Sequence, residues 1–97
     1  MTLLGLTADG RKIVQLTVTG SATVSGTSFG DIACSIPLGE LSRKDAVLGI
    51  ASVDLDTNCY LMEAVVSSNL GTITFRVYNP GAQATIGVTA IVTLLGT

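Results

Sequence analysis

The chain has 97 residues, a formal net charge of −2, and only 12% charged residues, against roughly 25% in ordinary soluble domains. This length makes one small domain, able to bury only about 60–65% of its unfolded surface. Its few basic residues, Arg11-Lys12, Arg43-Lys44 and Arg76, form no cluster of the kind a phosphate backbone requires, which argues against nucleic acid. No segment approaches the ~20 continuous apolar residues of a membrane span, so no membrane partner is expected.

In chain order, residues 1–9 read as an extended N-terminal arm whose Leu3, Leu4 and Leu6 would otherwise lie in water. The arm has no basic region and too short an apolar run for a signal peptide, which points to use without secretion. From Lys12 to Thr19 the period is two, with Val14, Leu16 and Val18 on one face. Gly20-Ser21 reads as a turn and Ala22–Ser25 as a short second strand. Asp31–Ile36 sets Ile32, Cys34 and Ile36 on a common face, and Pro37 ends that strand because it has no ladder donor. Leu38–Lys44 reads as a loop, and Gly39–Val47 could supply a single helical turn at most. Ala46–Val53 is apolar on both sides, Asp54–Asn58 is turn-like, and Cys59–Ser67 is a further strand. Gly71–Leu95 reads as the clearest hairpin, turning at Asn79-Pro80-Gly81. The expectation is a single all-β domain over 1–97: a compact β-sandwich or small jelly roll of about seven or eight short antiparallel strands.

Catalytic chemistry finds little to work with. The chain has no His, which removes the usual general base and the commonest metal ligand. Asp54-Leu-Asp56 with Thr57-Asn58 resembles a fragment of a calcium loop but lacks its Gly and distal Glu. Asp31, Glu40, Asp45 and Glu63 sit at strand or loop edges, where solvation is the ordinary role. No enzyme activity, cofactor or metal is expected. Two cysteines, Cys34 and Cys59, are too few for a disulfide framework and read as free thiols.

The composition is 47% hydrophobic, more than so small a domain hides alone, and this predicts a homo-oligomer. The outward rows of the last two strands are Thr-rich. Thr72, Thr74, Arg76, Tyr78, Thr89 and Ile91 are the expected subunit contacts. A covered Arg76 would need a carboxylate, with Glu63 or Asp45 as the candidates.

The segments Asp45-Ala-Val-Leu-Gly49 and Val66-Ser-Ser-Asn-Leu-Gly-Thr-Ile-Thr-Phe-Arg-Val-Tyr-Asn79 resemble a pattern of small virion proteins of tailed bacteriophages. Those modules open a strand with Asp-x-Val-x-Gly, and continue with Val-Ser-x-x-Gly-Thr-Val-Thr, a hydrophobic residue and Arg. The resemblance covers about the C-terminal half and implies a β-sandwich that trimerises on the virion as a head decoration (cement) protein. The implied partner is the major capsid protein, with Leu3, Leu4 and Leu6 as its contacts through strand addition. The alternative is a receptor-binding or fibre module touching a host glycan around Arg43-Lys44 or Tyr78-Asn79.

Overall fold

Alternation of inward and outward residues runs from Val14 to Val24, preceded by Lys12 and Ile13. In the computed structural model, which describes residues 1–97, that whole stretch is one strand. The strands are β1 (Thr2–Leu6), β2 (Lys12–Val24), β3 (Ser28–Ser35), β4 (Lys44–Leu55), β5 (Tyr60–Val66), β6 (Thr72–Asn79) and β7 (Ala84–Gly96). There is no helix. Every pairing is antiparallel, in a four-stranded sheet of order β1-β2-β7-β4 and a three-stranded sheet of order β3-β6-β5. The all-β, two-sheet expectation is met.

The pairing is nested. β2 lies along β7 from Lys12↔Gly96 to Val24↔Ala84, and the same two chain segments continue into the other sheet as β3 along β6. A single antiparallel ribbon is therefore folded across two sheets, with β4 beside β7 and β5 beside β6 as its inner turn. This is the wrapped connectivity of a jelly roll, with fewer strands than the usual form of about eight. Thirteen residues at about 3.3 Å each make β2 about 43 Å long, which accounts for most of the 49 Å longest dimension.

Four expectations are corrected here. Gly71–Leu95 is not a hairpin, because β6 and β7 lie in different sheets and Asn79–Gly81 makes a corner between them. Gly20-Ser21 is not a turn either. A Cβ at Gly20 would stand 2.5 Å from the Ala33 carbonyl oxygen and 2.8 Å from Cys34 Sγ, so glycine lets β3 cross close over β2. Nor does a helical turn form between Gly39 and Val47. Residues 1–9, read as an arm, hold β1, which pairs with β2 of the same chain and turns back through residues 7–11.

The core is the layer between the sheets. Val14, Leu16, Val18 and Val24 of β2 and Ile86, Val88, Ala90, Val92 and Leu94 of β7 meet Ile32, Cys34, Ile73, Phe75 and Val77. At the corner the side chain of Asn79, 2% exposed, donates to the carbonyls of Val24 (3.3 Å) and Ala82 (2.8 Å), and its Oδ1 accepts the Gly81 amide (3.0 Å). The amide thus satisfies backbone groups that the change of sheet would leave unpaired. Asn79→Ala removes these bonds and buries their partners bare, so chemical denaturation should show a loss of about 2–4 kcal/mol. Gly20→Val should cost at least as much, by driving β3 away from β2. A loss under about 0.5 kcal/mol for either would contradict these packing assignments.

Candidate functional site

The strand register builds an ordered surface on the outer face of the three-stranded sheet. Phe29, Tyr78 and Tyr60 are directly opposite one another across β3, β6 and β5. The Phe29 and Tyr78 rings are 5.0 Å apart and tilted by 59°, within the preferred range for aromatic pairs. The next row is Asp31, Arg76 and Glu63, an arginine between two carboxylates. The Arg76 guanidinium lies over Phe29 with Cζ 5.1 Å from the ring centre, a cation–π contact on an exposed sheet. After it come Ala33, Thr74 and Val65. Three of the four aromatic residues thus share one outer face, while Phe75 fills the core.

The residues expected at the subunit contact divide between two surfaces. Thr72, Thr74, Arg76 and Tyr78 lie on this outer face, whereas Thr89 and Ile91 lie on the outer face of the four-stranded sheet, on the opposite side of the core. One flat contact cannot cover both rows. Glu63 does flank Arg76, and Asp31 flanks it from the other strand. Asp45 does not: it is bonded to Arg43 Nε at 2.6 Å and lies 3.7 Å from Arg11 Nη1. This cluster ties the β1–β2 turn to the start of β4.

The apolar residues left exposed gather at strand edges. Leu3, Leu4 and Leu6 are exposed along β1, beside Met1 and Leu38. On the other side of the molecule Leu48 and Ile50 of β4 and Tyr60, Leu61, Met62 and Val65 of β5 are exposed. Opposite Val92 and Val77 in register, Ile50 and Leu61 point to the inner side of their sheets, yet they are 37% and 41% exposed. The sandwich is closed where β2 passes β3 and open between β4 and β5, where no hydrogen bonds join the sheets. β5 is exposed along nearly its whole length.

One further carboxylate serves the backbone. Asp56 reaches from the β4–β5 turn to accept the Gly87 amide at 2.8 Å, and a Cβ at Gly87 would collide with that carboxylate. The turn-like segment Asp54–Asn58 therefore fastens β4 to β7. No three Asp, Glu or Cys side chains converge as metal ligands. Cys34 is buried and Cys59 half-buried, both free, and burial raises both thiols, Cys59 further through Asp56. One shallow hollow, lined by Met1, Thr2, Gln15, Leu16, Thr17 and Ile91, contains no ionisable side chain. No helix is long and apolar enough to cross a membrane. No family model, characterised protein or solved structure matches the chain.

The aromatic row is what sequence reading missed. It depends on pairing between β3, β6 and β5, and only Tyr78 is identifiable as outward-facing from its own strand.

The Gly87 amide and, secondarily, the Thr57 hydroxyl hold the Asp56 carboxyl below its ordinary value of 3.8. A depressed carboxyl contributes stability that is present above the ordinary value and lost as pH falls through the lower folded one. The unfolding midpoint should therefore drop on acidification below about pH 4, and Asp56→Asn should flatten part of that drop. In the native protein, alkylation should label Cys59 well before Cys34; equal labelling would contradict the burial of Cys34.

Proposed function

We propose that this chain is a non-catalytic structural subunit that forms a homotrimer and decorates the head of a tailed bacteriophage, bound to the major capsid protein. The observation that carries self-association is the exposed apolar surface along β1, β4 and β5, in a fold with only 18 of 97 residues buried. An isolated domain leaves such edges open to chance pairing, and a sister copy or a larger shell removes them. Assignment to a phage virion rests on the Asp45–Gly49 and Val66–Asn79 pattern, and a compact β-sandwich is the architecture that resemblance implies. A decoration subunit acts by burying surface across neighbouring shell proteins, so its stabilising effect is apolar area less the cost of association.

The aromatic row gives a second reading a specific footing. Phe29 and Tyr60 are half or more exposed beside Tyr78, Asp31 and Glu63, a combination that suits the apolar faces and hydroxyls of a host glycan. A receptor-binding or fibre module would use this face.

Light scattering at micromolar concentration should return close to three times the 9.9 kDa of one chain; a monomer mass would sink the structural reading. Co-expression with the major capsid protein encoded in the same genome should yield shells with which the chain sediments. Glycan-array binding that Tyr60→Ala abolishes, with no sedimentation on shells, would select the second reading instead.

A further inference from the structure

The four-stranded sheet ends at two edges, β1 on one side and β4 on the other, and neither has a hydrogen-bonded neighbour beyond it. Free edges expose rows of backbone donors and acceptors, which proteins commonly guard with charged side chains. The β1 edge carries no charged residue; the β4 edge carries Lys44, Asp45 and Asp54 only at its ends, with an uncharged middle from 46 to 53, and its register against β7 shifts three times. The edge strands of the other sheet are guarded, β5 by Glu63 at its middle and β3 by Asp31.

The β1 and β4 edges complement each other in direction. Neighbours in this sheet are antiparallel throughout, so β1 and β4, separated by two strands, run in opposite directions. A second copy rotated about an axis along the strands keeps its strand directions, so its β1 meets β4 antiparallel.

They also complement each other in face. Leu3 and Leu6, opposite Val14 and Lys12, lie on the inner side of the sheet but are 56% and 65% exposed, because the other sheet does not extend over β1. Ile50 lies on that same inner side, at the opening between β4 and β5 into which Leu61 also points. With β1 set beside the next copy's β4, Leu3 and Leu6 fall on the face of Ile50 and cover that opening.

We propose that copies of this chain join head to tail, with β1 of one adding to the free edge of β4 of the next. Such a contact is heterologous, and it closes into a ring when the rotation between copies divides a full turn. The inference rests on the self-association proposed above and makes the N-terminal leucines a contact between subunits.

The test uses two surface variants, Leu3→Lys to charge the β1 edge and Ile50→Lys to charge the β4 edge, with Leu48→Lys as a second β4 variant. Circular dichroism and thermal unfolding establish that each folds. Each variant alone should lose assembly, with its dissociation constant raised at least about tenfold. An equimolar mixture of a β1 variant and a β4 variant should run as a two-copy complex in sedimentation velocity. In that mixture the intact β1 of the β4 variant meets the intact β4 of the β1 variant, and no further copy can add. A parent that assembles while Leu3→Lys assembles equally well overturns this contact and leaves self-association standing. Folded variants that stay monomeric when mixed also overturn it. A monomeric parent overturns both readings.

Discussion

The structure depends on one corner, where a two-stranded ribbon leaves one sheet and enters the other. A ribbon can change sheets only by breaking its ladder, and each broken bond leaves a backbone group to be satisfied in a nearly dry place. Asn79 resolves this with a single amide that serves Val24, Ala82 and Gly81 together, helped by the bond from the Thr27 amide to the Gly81 carbonyl. The corner is tight enough to hold Thr27, a β-branched residue, at φ 48°. With the corner fixed, the inner rows of β2 and β7 face those of β3 and β6, and the core follows.

The corner also explains why one side of the sandwich is well covered and the other is not. Where the ribbon folds, β2 passes close over β3, close enough that position 20 takes only glycine. β4 and β5, at the far edges of the two sheets, make no such close approach. Their inward residues Ile50 and Leu61 therefore stay partly in water, and the same is true of Leu3 and Leu6 beyond the rim of the smaller sheet. These are apolar side chains of inward-facing residues that the second sheet does not reach. The outer face of the four-stranded sheet is instead rich in threonine, as in the Thr23–Thr85 and Gln15–Thr93 pairs.

Period-two alternation made much of this legible in advance. The faces of Val14, Leu16 and Val18, and of Ile32, Cys34 and Ile36, could be read because a strand's side chains alternate whatever it pairs with. Strand partners could not be read. Asn79-Pro80-Gly81 is an equally good turn for a hairpin and for a change of sheet, and the local sequence does not distinguish them. Gly20 misled for a similar reason, because glycine that breaks a strand and glycine that admits a crossing strand look alike. The row of Phe29, Tyr78 and Tyr60 joins residues up to 49 positions apart, and nothing short of the register brings it together.

Nested pairing also constrains the order in which the chain can fold. Bringing β2 directly onto β7 means joining residues from 60 apart (Val24 and Ala84, 84 − 24) to 84 apart (Lys12 and Gly96, 96 − 12), which is costly in loop entropy. The pairings between strands adjacent in the chain are β1 with β2 and β5 with β6, and only the second lies inside the ribbon. Once β5 and β6 have met, β3 needs a shorter closure to reach β6, and β2 a shorter one again to reach β7. The chain is thus built to zip outward from the β5–β6 turn at Ser67–Gly71, and its high contact order places it among slow-folding small domains.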